Sequence, residues 1–274
     1  MKKKFLKIAA LSTAILLIFA VIFFANAFVG NPISKWAATN TAKEYLADTY
    51  SGRDFEVERV AYDFKSGNYY AYVTSPTSID SHFSLGIDMW GNLQSDYYAD
   101  RVTNGLNTAG RINEQYGARV DSVLDNQAFP YTAQIGFGDI AFIEREYADN
   151  DDVPPYAIVT EELVLDAFYD IDELGAKAGI ITIYLEDEVV SYERAAQILL
   201  DIRKIFDSAG VKFYAVNFVL EYPQIEDGTK QDDRIEVIDF LYTNIYEIEL
   251  IGRVQAADEA AAAYYAEQDA LKFQ

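Results

Sequence analysis

The chain has 274 residues with 22 basic against 44 acidic side chains, a net charge of −22, no cysteine and a single histidine. Such a charge repels nucleic acid and anionic headgroups, and without thiols there are no disulfides, no thiol catalysis and no cysteine-ligated metals. Aromatic residues make up 15% of the chain, including 21 Tyr, which is too many for a disordered stalk.

Residues 8–28, IAALSTAILLIFAVIFFANAF, form an apolar run behind Lys2, Lys3, Lys4 and Lys7. At about 1.5 Å per helical residue, these roughly 21 residues reach about 31 Å, the hydrocarbon thickness of a bilayer. Only Ser12, Thr13 and Asn26 are polar, and a helix satisfies its own backbone groups in lipid. The lysines ahead of the run, against Lys35 just after it, place the N-terminus in the cytoplasm and everything beyond on the outer face. The competing reading is a signal peptide cleaved after Ala27, because Ala25-Asn26-Ala27 has the small-x-small form. The apolar core exceeds the roughly 7 to 15 residues of a signal peptide, so length favours an uncleaved anchor. Four basic residues and no acidic ones precede position 29, so the outer part carries 18 against 44, a net −26. It would attract cations, basic peptides or basic wall components, although a charge of this size also simply keeps an exported domain soluble.

After Gly30-Asn31-Pro32, residues 33–50 predict a helix with Ala38, Ala42, Tyr45, Leu46 and Thr49 on one face. Residues 55–62 predict a strand whose parity changes near Glu58 and Arg59, the mark of a bulge. A turn at 65–68 returns the chain through 69–74. In 82–89, Phe83, Leu85, Ile87 and Met89 alternate with His82, Ser84, Gly86 and Asp88, and Gly91-Asn92 turns into a strand over 93–98. Residues 29–99 thus predict an N-terminal α+β unit of one helix and three or four antiparallel strands.

Residues 100–128 predict a connector of one or two helices, with a thin stripe of Val102, Leu106, Ala109, Ile112 and Tyr116 weakened by three glycines. Residues 129–274 predict a C-terminal α+β unit. Residues 131–144 are a strand pair or one long strand, and Gly136 and Gly138 permit close backbone approach. An exposed loop at 149–155, a strand at 163–169, a short helix at 172–178 and a buried strand at 180–185 follow. Ser191 caps a strongly amphipathic helix that Gly210 stops, and 211–220 is apolar on both parities, as a strand covered on both faces would be. That strand–helix–strand predicts parallel pairing with a right-handed crossover. A loop at 223–233 leads to an antiparallel strand at 234–242, and 250–272 is a terminal helix.

The segment Gly30 to Trp36 directly after an anchor, then Tyr62-Asp63-Phe64-Lys65, Ser75-Pro76, His82-Phe83 and Glu221-Tyr222-Pro223, resembles the YfjL-like family of small membrane-anchored proteins of Gram-positive bacteria. The resemblance covers nearly the whole chain as an N-terminal and a C-terminal unit. It implies a single-pass extracytoplasmic protein, with no catalytic residues to carry over. The N-terminal unit, ending Ile87-Asp88-Met89-Trp90-Gly91-Asn92-Leu93, is also similar to PepSY-type modules, which are linked to peptidase inhibition or envelope sensing.

Candidate chemistry is sparse. His82 has Ser75, Ser78, Ser81, Asp80 and Asp88 nearby in sequence, but no nucleophile elbow occurs, and strand parity reads it as a solvated histidine. Asp149, Asn150, Asp151 and Asp152 supply oxygens for calcium without the spacing of an EF-hand. Asp170, Asp172 and Glu173 suit the first turn of a helix. The tyrosines line a sugar or peptide groove or, as favoured here, pack their rings on half-buried faces. No catalytic, cofactor or metal residue is assigned. The sequence therefore predicts a membrane-anchored α+β ectodomain that binds or senses, with the lipid bilayer and an envelope protein or peptide as partners. Carboxylate-dependent hydrolysis at the envelope is the alternative.

Overall fold

The computed structural model describes residues 2–150, 153–223 and 233–272. It divides into two units, Met1–Asn107 and Thr108–Gln274.

Helix α1, Lys2–Val29, contains the apolar run, and its large side chains from Leu11 to Phe24 that are described are exposed all round. A helix apolar on every side but unburied has no core to face, unlike one that packs by a single stripe. Among the described residues, one stretch, beginning at Ala10, is long and apolar enough to cross a membrane. Gly30 ends α1 with φ of +73°, a conformation that glycine adopts without strain. Helix α2, Pro32–Thr49, starts at once, with proline in its first turn and the Asn31 side chain accepting from the Ser34 amide at 2.8 Å. It buries Ser34, Ala38, Ala42 and Leu46, while Thr49, predicted on the same stripe, is exposed.

The sheet beneath α2 is an antiparallel meander in the order β1-β2-β3-β4: β1 Glu56–Asp63, β2 Asn68–Ser75, β3 Ser78–Ile87 and β4 Leu93–Asp96. Its register shifts between Val57 and Arg59, which places the bulge where the parity change predicts it. Strand β3 begins four residues before the expected His82 and stops before Met89. It stops there because the Asp88 carboxylate turns back to accept from the amides of Trp90 and Asn92, both at 2.8 Å. The core joins small residues of α2 to Val60, Tyr69, Ala71, Val73, Phe83, Leu85 and Ile87. Tyr50, Phe55, Phe83 and Tyr98 close one end, with ring centroids 4.9 to 5.7 Å apart.

After a π-helical turn at Ala99–Thr103 and Gly105 at φ of +74°, α3 runs Leu106–Leu124. The stretch read as a connector instead lends Ile112, Tyr116, Val120 and Val123 to the core of the second unit. That unit holds β5 Ala133–Ile140, β6 Phe142–Ile143, β7 Ile158–Val159, α4 Ile171–Ala178, β8 Gly179–Glu186, α5 Tyr192–Ala209, β9 Ala215–Glu221, β10 Arg234–Leu241 and α6 Leu250–Lys272. Its main sheet has the order β10-β9-β8-β5, with β8 and β9 parallel and the outer pairs antiparallel. Residues 163–169 are not a strand: Asp166 takes φ of 60°, which breaks the pleat, and Phe168 is left 90% exposed. The short strand in this region is β7, which pairs in parallel with β6.

Helix α5 follows its sequence signals closely. Ser191 accepts from the Arg194 amide, Gly210 ends the helix at φ of 72°, and the face carrying Ala195, Ile198, Leu199, Ile202 and Phe206 is buried. Each such Ile or Leu contributes about 1.5 to 3 kcal/mol through burial. The expected close approach at Gly138 is met by Val120 and Tyr116 of α3.

Candidate functional site

Three residues that no local pattern connects build a groove on the first unit. Glu58 sits at the bulge of β1, Arg101 in the π-helical turn, and Asn107 in the first turn of α3. With the β2–β3 hairpin they line a hollow of about 710 Å³. The hairpin contributes Tyr72, Thr74, Ser75, Ser78, Ser81 and His82 beside apolar Val73, Pro76, Ile79 and Phe83, so the wall is largely apolar and its polar groups are chiefly hydroxyls with one imidazole and one guanidinium.

The sheet ladder explains its shape. Strand β4 pairs only with Leu85, Gly86 and Ile87, so the earlier part of β3 has no neighbouring strand on that side. The Asn107 amide nitrogen fills the gap, donating to the carbonyls of Asp80 at 2.8 Å and His82 at 2.5 Å. A side chain that occupies a strand edge holds it against other pairings. At the hairpin tip, Ser75 Oγ and Thr77 Oγ1 both donate to Asp54. The hydroxyls of Thr77 and then Ser75 hold that carboxyl below its ordinary range.

The structure thus brings Ser75, Ser78, Ser81 and His82 to one groove but gives them other duties than a triad. Ser75 Oγ is committed to Asp54, Ser78 Oγ accepts from the Ser81 amide at 3.1 Å, and His82 is exposed opposite Thr74. Asp80 is buried, and Asp88 lies at the far end of β3, where the Asn92 side chain and amide hold its carboxyl low. Asp170 caps α4, accepting from the amides of Asp172 and Glu173, while Asp172 pairs with Arg119 at 2.7 Å and Glu173 with Lys177 at 2.6 Å. Asp149 and Asn150 lie in a loop whose Asp151 and Asp152 fall outside the described residues, as does most of the loop at 223–233. Among the described residues, no three His, Asp or Glu side chains gather as a metal site would require.

The tyrosines pack their rings on half-buried faces as expected, Tyr45, Tyr50, Tyr62 and Tyr98 in the first unit and Tyr131, Tyr156 and Tyr192 in the second, and many of their hydroxyls bind carboxylates. Tyr45 and Tyr50 donate to Asp96, Tyr131 to Asp201, Tyr156 to Asp239, Tyr192 to Asp258 and Tyr265 to Glu236. In a chain with twice as many acids as bases, phenols supply the hydrogen bonds that cations cannot. Burial, and then the carboxylate partner, push the hydroxyls of Tyr50, Tyr131 and Tyr156 well above their usual range. Tyr72 lines the groove, with the Arg59 guanidinium 3.7 Å from its ring centroid. Glu58 and Arg59 stand out in the sequence as a break in parity. Asn107 and Arg101 carry no local signal, because their partners lie distant in the chain.

An apolar helix joined to two α+β units defines the class, and two domain matches give the family. Residues 2–97 match the family described as "YfjL-like, N-terminal domain" and residues 115–255 match "YfjL-like C-terminal domain". The chain belongs to the YfjL-like family. Among solved structures it is similar to a DUF5037 family protein from Ruminococcus gnavus at 15% identity, covering 67% of this chain and 74% of that one with a TM-score of 0.21. No curated protein matches.

Proposed function

We propose that this is a single-pass membrane protein whose two α+β units lie on the outer face of the cell membrane as a binding or sensing module. The observation that carries the reading is α1. Its described apolar side chains are exposed, its first turns carry Lys2, Lys3, Lys4 and Lys7 ahead of the apolar run, and only Gly30 and Asn31 separate it from folded structure. The partner is an envelope protein or peptide that meets the groove between Tyr72, His82 and Arg101. The surplus of carboxylates favours a basic partner.

Site-specific photocrosslinking in the native membrane tests this reading. A photoreactive residue at Thr74 or Ser84 should capture one discrete envelope protein, and the same residue at exposed Glu193 should not. Equal labelling from all three positions, or none from the groove, would overturn the groove as the binding surface.

A further inference from the structure

An antiparallel meander puts alternate turns at the same end. The β1–β2 turn at 63–68 and the β3–β4 turn at 88–92 therefore share one end of the first unit. The first half of helix α2 lies at that end too: its mid-helix Thr41 hydroxyl donates to the Gly91 carbonyl at 2.7 Å, and Gly91 packs against Ala37. Helix α1 leaves from the same place. Tyr62 donates to the Ala27 carbonyl at 3.0 Å, the Phe64 and Phe28 rings lie 6.3 Å apart, and the Asn31 amide donates to the Tyr69 hydroxyl at 2.8 Å.

The side chains left in the open at this end are large and apolar. Trp36 is 67% and Trp90 79% exposed, and Ile33, Phe64 and Met89 are exposed beside them. These are the two tryptophans of the chain. Exposing both is costly in water, whereas the amphipathic indole favours the headgroup level of a bilayer. Local charge is balanced in a strongly acidic chain: exposed Lys35 and Lys65 adjoin the patch in sequence, as do Asp63 and Asp88, so the apolar side chains carry the argument.

We infer that this end of the first unit is seated in the outer leaflet interface, with Trp36, Trp90, Ile33 and Phe64 forming a collar around the exit of α1. The inference rests on the membrane-anchor reading above and adds that the first unit lies on the lipid surface instead of standing clear of it. The seat fixes which way the groove faces, because the groove includes the β2–β3 turn at the opposite end of the same strands.

Tryptophan fluorescence reports this collar directly, since no other tryptophan contributes. The full chain is reconstituted in phosphatidylcholine–phosphatidylglycerol vesicles whose acyl chains are unbrominated, brominated near the glycerol, or brominated near the terminal methyl. Emission should be roughly halved by the shallow bromines and lowered less by the deep ones, in the unaltered chain and in the Trp36→Phe and Trp90→Phe variants alike. Unquenched emission from a chain that resists carbonate extraction would overturn the collar and leave the anchor standing. Blue-shifted emission without bromine quenching would assign the patch to a protein partner and overturn it too. Release of the chain by carbonate would overturn anchor and collar together.

Discussion

The two units draw on the same acidic, tyrosine-rich composition yet fill their cores differently. The first covers a four-stranded sheet with one helix of small residues, Ala38 and Ala42, and closes the end near Tyr98 with stacked rings. The second interdigitates aliphatic side chains from α5, β8 and β9 and lets α3 approach at glycines of β5. A unit with a single covering helix has little apolar area to bury, so it depends on large stacked rings, while hydroxyls that reach carboxylates serve both units. A sheet packed by long amphipathic helices has area to spare and depends on fit.

Substitutions can break that contrast. Phe218→Ala, at a fully buried position of β9, should cost about 3 to 5 kcal/mol in denaturant unfolding of the detergent-solubilised chain. A loss under 1 kcal/mol would mean that the core is not close-packed. Gly138→Val should cost about 1 to 3 kcal/mol by overpacking against Val120 and Tyr116, and the double variant with Val120→Ala should recover part of it. In the first unit, Asp96→Ala strands the hydroxyls of Tyr45 and Tyr50 and should cost about 1 to 3 kcal/mol, whereas Asp96→Asn, which keeps an acceptor, should cost less.

The smallest effect expected is at Asp187. Burial raises its carboxyl, but hydrogen bonds from Arg194 and from the Val189 amide outweigh that and leave it below the ordinary value. A depressed folded-state value contributes stability that is present above the unfolded value of about 3.9 and lost as pH falls through the folded one. Asp187→Asn should therefore cost about 1 kcal/mol at neutral pH, with the difference from the unaltered chain shrinking as pH falls below the unfolded value of about 3.9 and through the lower folded one. A difference independent of pH would refute the ion pair as its source.

How much of this was legible in the sequence varied with the range of the interactions. Helix α5 was clear because its cap, its stripe and its αL glycine are all local, and the bulge of β1 showed as one break in alternation. Residues 163–169 misled because a run of apolar residues does not reveal that Asp166 takes a left-handed turn. The role of α3 was understated because its glycines weakened the helical signal, and Val120 and Val123, which complete its buried face, were left out of the stripe. The groove was half legible. His82 and its serines are neighbours in sequence, but Asn107 becomes part of it only through the fold.

Protease accessibility in intact cells, with tags at both ends, tests the central claim of an anchored outer module most directly. Protease added outside should remove the C-terminal tag and spare the N-terminal one, on a chain of full length that stays in the membrane fraction. Protection of both tags until lysis, or recovery from the medium of a chain beginning after Ala27, would contradict it.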